Sequence, residues 1–201
     1  MTYEEFQTAV NLCKAEHPIL LLEGKRDVLP DDRNLLVRLG EKLAKDLPHC
    51  IFRSGNASGA DELFAEGVSR ISPERLQLLL PKAGARKKHI PTGAYTLAVD
   101  EIDLIKESDV IYHTKDSAEK NIGLIDLYMS GKAGPAAAKA PYLIRDTIKV
   151  IGVREFEKAD FGLFYDDLDN PGSGGTGHTM RVCKKHNVPV ITQKAWFGWM
   201  L

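Results

Sequence analysis

The run Asn170-Pro171-Gly172-Ser173-Gly174-Gly175-Thr176-Gly177-His178-Thr179 gathers residue types suited to one kind of chemistry, the holding of a phosphate. Its glycines let the backbone take φ > 0 and approach a ligand closely. Ser173, Thr176 and Thr179 add hydroxyl donors. A helix beginning at Thr176–His178 would aim unpaired N–H groups at an anion. Two familiar patterns fit only in part. Gly172 to Thr179 reads as G-x-x-x-x-G-x-T, but an ATP-binding loop needs a lysine ammonium where His178 stands. Gly172, Gly174 and Gly177 also have G-x-G-x-x-G spacing. No acidic residue follows about 20 positions later to hold a ribose, and the motif lies in the last strand–helix unit rather than the first. The ATPase and NAD dehydrogenase readings are set aside. A bare turn would need fewer glycine and hydroxyl residues than this run holds.

A second segment repeats the design. Ser54, Gly55, Asn56, Ser58 and Gly59 run from a strand end to a helix start, with Asp61 in the first helical turn. Asp61 can cap its own helix or accept a hydrogen bond from a sugar hydroxyl. Gly24, Lys25 and Arg26 end the first strand. Lys25 or Arg26 can pair with a phosphate or sit in a solvated turn. Asp166, Asp167 and Asp169 could hold Mg²⁺ through oxygen, but "DDLD" lacks the glycine and closing glutamate of a calcium loop, so capping is the preferred reading. Arg86-Lys87-Lys88-His89 has no interleaved aromatics, so it reads as a solvated loop rather than a single-strand binding platform.

Positioning these loops takes an alternation of strands and helices. An amphipathic helix over 2–16 carries a Thr2/Glu5 capping box and Phe6, Val10 and Cys13 at helical spacing. Strands are expected at 18–24, 50–55, 75–81, 109–114, 159–166 and 188–192. Helices are expected at 31–47, 58–71, 95–108, 117–132 and 177–187. The stretch 140–156 is open to either reading, with Tyr142, Ile144, Ile148 and Ile151 favouring a helix over a strand at "IKVIGV". The stretch 132–140 reads as a helix–helix connection. This order argues for an α/β fold with a mainly parallel sheet and helices on both faces, read as a single domain over 1–201 with a helical arm at about 1–17. Ligands of such sheets sit beyond the carboxyl ends of the strands. Each glycine segment follows a strand, so the three loops are expected at one edge.

The whole chain adds bounds. It has 201 residues, 43% of them apolar and 27% charged, with net charge −1. That balance argues against nucleic acid or an anionic membrane as the main partner. Cys13, Cys50 and Cys183 form no C-x-x-C pair and suit a reducing cytoplasm. The start "MTYEEFQTAV" is unlike a signal peptide, and "ILLL" at 19–22 is far too short to span a bilayer. Trp196 and Trp199 are too apolar to hang free, and dock on the body or on a second copy in a homo-oligomer.

"SGNASGAD" between strand and helix, "NPGSGGTGHTMR" and "LLLEGKRD" together resemble the SLOG superfamily, which includes DNA-processing protein A-like and LOG ("lysine decarboxylase-like") proteins. Pro171, Gly172, Gly174, Gly175 and Thr176 align with the PGGxGT phosphate loop once one residue of slack is allowed. The resemblance spans about residues 18–192. It implies a Rossmann-like three-layer αβα sandwich that binds nucleotides or their derivatives, such as nucleotide sugars. LOG enzymes cleave the N-glycosidic bond of nucleoside 5′-monophosphates with a glutamate after the loop and an arginine on the preceding helix. Arg145 sits where that arginine is expected. The glutamate is missing, which argues for a binding or sensing protein over a hydrolase. His178, a base suited to neutral pH, or Glu23 could substitute for it.

Overall fold

The computed structural model describes residues 1–200 apart from Ala133 and Ala136, so part of the expected connection at 132–140 lies outside the described residues. Six strands, β1 (Ile19–Gly24), β2 (Ile51–Ser54), β3 (Leu76–Leu80), β4 (Tyr95–Ala98), β5 (Phe161–Tyr165) and β6 (Val190–Thr192), form one sheet. Every pairing is parallel, in the order β4-β3-β2-β1-β5-β6. Eight α-helices are described: α1 (Tyr3–Asn11), α2 (Arg33–Asp46), α3 (Ala60–Ser69), α4 (Ser108–Ser117), α5 (Ile122–Met129), α6 (Ala140–Ile151), α7 (Gly174–Lys185) and α8 (Gln193–Trp196). The result is a Rossmann-like three-layer α/β fold. No described helix is long and apolar enough to cross a membrane.

The period-two alternation of β1 divides the core. Leu20 and Leu22 face a cluster shared with α1, α2, α3 and the two tail tryptophans, while Ile19 and Leu21 face Val150 of α6 and Val182 and Cys183 of α7. Glu23 continues the second parity, which puts a carboxyl group beneath α6 and α7. The Thr2/Glu5 capping box starts α1, and Phe6 then stacks on Trp199 at 4.9 Å and meets Phe161 edge-on at 5.7 Å. Trp196 is fully buried and donates from Nε1 to the Phe164 carbonyl. The tail thus docks on its own chain.

Two expected elements exchange places. The stretch 95–108 contains β4 rather than a helix, and 109–114 lies within α4 rather than in a strand. Leu97 and the Tyr95 ring, edge-on to Phe156, suit a short edge strand. Val110, Thr114 and Ser117 are buried at helical spacing, and the Thr114 hydroxyl donates to the Val110 carbonyl. The apolar run Val110-Ile111-Tyr112 imitated a strand because a short apolar run does not declare its period. The expected helix 117–132 shortens to α5, preceded by a 3₁₀ turn at Glu119–Asn121. The ambiguous 140–156 resolves as helix to Ile151, ended by Gly152 at φ 79°. Helix α7 starts earlier than expected, at Gly174.

Chain order places β2, β3 and β4 on one side of β1 and β5 and β6 on the other. The direction of winding therefore reverses between β1 and β5, which opens a crevice beyond their carboxyl ends.

Candidate anion-binding cleft

A cleft of about 830 Å³ occupies that crevice. Its wall includes the β1 turn (Gly24, Lys25, Arg26), the start of α7 (Ser173, Gly174, Gly175, Thr176) and the α6 face (Tyr142, Arg145, Asp146).

The β5–α7 loop is tied down from behind. Asp166 accepts from the Gly172 N–H at 3.1 Å, and Gln193 holds Asp166 in turn through both ends of its amide. Arg181 donates to the Gly172 carbonyl at 3.1 Å. Gly177 packs under the same carbonyl so closely that a Cβ there would fall on it. The front of the loop is open. Ser173 is the N-cap of α7 but makes no side-chain cap, and the first helical bond is Gly177 N–H to the Ser173 carbonyl at 2.9 Å. The N–H groups of Gly174, Gly175 and Thr176 thus have no acceptor among the described residues. The N-terminus of a helix carries a partial positive charge that favours a negative group.

The β2–α3 segment looks alike and is closed. Asp61 accepts from Gly24 N–H through Oδ1 at 3.1 Å, and from Gly55 and Ala57 N–H through Oδ2 at 3.1 and 3.4 Å. Gly59, at φ 87°, presses against the Arg26 main chain. Together they stitch the β1 and β2 turns into one wall.

Beneath the cleft lies a buried ionic cluster. Lys149 Nζ lies 2.6 Å from Glu23 Oε2 and 2.9 Å from Asp146 Oδ1. Arg145 donates from Nε and Nη2 to the same Asp146 oxygen at 3.0 and 2.7 Å, and from Nη1 to the Gly55 carbonyl at 3.0 Å. The Thr179 hydroxyl donates to Glu23 Oε1 at 2.9 Å. Burial pushes the Glu23 carboxyl up to about 8, helped by Asp146 and Asp61 and opposed by Lys149. Burial also works to raise Asp146, but Arg145 and Lys149 outweigh it and hold that carboxyl below its usual range. His178 is buried, which lowers its basicity. Its Nε2 lies 3.1 Å from the Thr147 hydroxyl and 3.2 Å from the Leu143 carbonyl, and its Nδ1 lies 3.4 Å from the Ser117 carbonyl.

Of the residues expected at the site, the cleft brings together Gly24, Lys25, Arg26, Asp61, Arg145, Ser173, Gly174, Gly175, Thr176 and His178. Gly172, Gly177 and Thr179 stand behind the wall as supports. Ser54, Gly55, Asn56, Ser58 and Gly59 do not line the cleft, and Ser54 Oγ and Asn56 Nδ2 are buried without a partner among the described residues. Sequence reasoning missed Asp146, Lys149 and Tyr142 as site residues. Their signal was three charges, Arg145, Asp146 and Lys149, set among the isoleucines of a helix that had to be buried. Asp167 lies 3.5 Å from Lys25 and accepts from the Asp169 N–H, so the acidic run braces the loop. Among the described residues, no three His, Cys, Asp or Glu side chains are arranged to hold a metal ion.

Comparison with protein-family models gives no match, and no curated protein matches. Among solved structures, DNA processing protein A from Helicobacter pylori, studied for its single-stranded DNA binding mode, is similar at 17% sequence identity. The match covers 92% of this chain and 67% of that one, with a TM-score of 0.54, and it shows a shared Rossmann-like fold.

Proposed function

We propose that the cleft binds a phosphate-bearing ligand of the nucleotide class, with the phosphate on the N–H groups of Gly174, Gly175 and Thr176. The observation that carries this reading is that those three residues line the cleft while their N–H groups have no acceptor among the described residues. Lys25, Arg26 and Lys139 line the same space and can add charge. The half-open Tyr142 ring offers a stacking face for a base. A thermal-shift panel of inorganic phosphate, nucleoside phosphates, ADP-ribose and nucleotide sugars tests it. A ligand at 100 times its Kd adds about 2.7 kcal/mol, roughly 5–10 °C for a chain of this length. A melting curve unmoved by every compound sinks the reading.

A catalytic reading, hydrolysis of an N-glycosidic bond, is favoured by Glu23. Glu23 is among the residues lining the cleft, and its raised pKa suits a general acid near neutral pH. His178 is a weaker candidate for that role, because burial disfavours its charge and its ring nitrogens already face Thr147 and two carbonyls. Release of free base from a nucleoside monophosphate, lost in Glu23→Gln, supports hydrolysis. No release from any mononucleotide leaves a binding protein. A DNA-binding reading is favoured only by the fold neighbour, and a salt-sensitive gel shift with a single-stranded oligonucleotide tests it.

A further inference from the structure

We propose that Asp146 receives a sugar hydroxyl of the bound ligand, so that the cleft takes a hydroxylated sugar phosphate in preference to a deoxygenated one. The proposal rests on the phosphate reading above. Asp146 is 2% exposed, yet it lines the cleft. All its described partners, Arg145 Nε, Arg145 Nη2 and Lys149 Nζ, converge on Oδ1. Oδ2 has no hydrogen-bond partner among the described residues, and it lies 3.2 Å from where a Cβ of Gly175 would stand. An open carboxylate oxygen thus sits directly beside the phosphate donors.

The other buried acids of the cleft are engaged. Both oxygens of Asp61 accept main-chain N–H groups, Glu23 meets Lys149 and Thr179, and Asp166 holds Gly172. The group that completes Asp146 must be a donor. Arg145 and Lys149 already balance its charge, so a neutral hydroxyl suits it better than a further cation. In a sugar phosphate, ring hydroxyls lie within a few bonds of the phosphate, which matches a site where Gly175 belongs to both subsites. The open oxygen leaves Asp61 as a brace and makes Asp146 the specificity-determining residue.

The test is calorimetric titration of the full chain with inorganic phosphate, ribose 5-phosphate and tetrahydrofurfuryl phosphate, which keeps the ring and phosphate without the hydroxyls. A hydrogen bond to a charged acceptor predicts that ribose 5-phosphate binds about 10- to 100-fold tighter than the hydroxyl-free ester. That ratio should shrink toward one in Asp146→Asn. Equal binding of the two esters to the unaltered protein, with inorganic phosphate still bound, overturns the hydroxyl contact and leaves the phosphate site standing. A ratio that keeps its full size in a folded Asp146→Asn protein overturns it as well. If none of the three compounds binds, the phosphate reading falls and this proposal with it. Should Asp146→Asn fail to fold, the ratio measured on the unaltered protein decides alone.

Discussion

Two glycine-rich turns in this molecule share a design and differ in occupancy. Both run from a parallel strand through Ser-Gly into a helix. After β2, the turn's donors converge on the Asp61 carboxylate, supplied by the chain itself. After β5, the first three N–H groups of α7 meet no acceptor among the described residues. An internal anion makes the first turn part of the wall, and the second turn has no such side chain among the described residues. Glycine content alone does not separate the two. The discriminating residue is the acid in the first helical turn, Asp61 in α3, where the first turn of α7 has only Gly174, Gly175 and Thr176.

The comparison breaks most directly at Asp61. Replacing it with alanine strands main-chain donors of Gly24 and Gly55 and removes a buried anion near Arg145. We expect a loss of about 3–5 kcal/mol in urea unfolding. A loss below about 1 kcal/mol, within the range of ordinary surface changes, would mean that Asp61 is not the closing anion. Gly59→Ala attacks the same wall from its backbone. The residue sits at φ 87° and its Cβ would land on the Arg26 main chain, so we expect about 2–4 kcal/mol. A near-neutral outcome in the same denaturant series would show that the two turns are not stitched tightly.

The contrast also explains what could be read in advance. The alternating order, the parallel sheet and the location of the glycine loops followed from apolar runs ending in glycine, because the ends of buried strands and helices are punctuated locally. The exchange of β4 and α4 was not legible. Tyr95–Ala98 and Val110–Tyr112 are short, and their burial is decided by Phe156 and by the α6 partner Thr147, far away in sequence. The cleft's floor was hidden for the same reason. Glu23, Asp146 and Lys149 come from β1 and α6, and only the sheet order brings them within hydrogen-bonding distance.

That floor gives a smaller, pH-resolved effect. Glu23 is raised from 4.5 to about 8 by burial, so the folded state holds a proton that the unfolded state has released. Stability contributed by this group is full below about pH 4.5 and is lost as pH climbs to about 8, at a slope of at most ~1.4 kcal/mol per pH unit. Asp146, held low, acts oppositely and loses its contribution only as pH falls through its own depressed value. The difference in unfolding free energy between the unaltered protein and Glu23→Gln, followed from pH 5 to 8, isolates the first group. We expect it to shift steadily against the unaltered protein. A flat difference would show that Lys149 keeps Glu23 ionised throughout.

The smallest expected effect on stability is the sharpest test of the two turns. Gly174→Asp gives the turn before α7 a carboxylate of its own, as Asp61 serves the β1 and β2 turns. Position 174 has φ 60°, and a Cβ there meets nothing within 4 Å. Asp tolerates the left-handed region better than most residues, at a cost of about 1 kcal/mol. A negative group at a helix N-terminus returns roughly 0.3–1 kcal/mol. Net stability should therefore stay within about 1 kcal/mol of the parent, and the melting temperature should move by only a few degrees. Inorganic phosphate, or whichever phosphate ester stabilises the parent, should no longer shift the curve, because the donors it needs are covered by the new carboxylate. Persistence of the full ligand shift in a folded Gly174→Asp protein would mean that the phosphate sits elsewhere in the cleft, and the open turn would lose its claim to be the ligand-bound counterpart of Asp61.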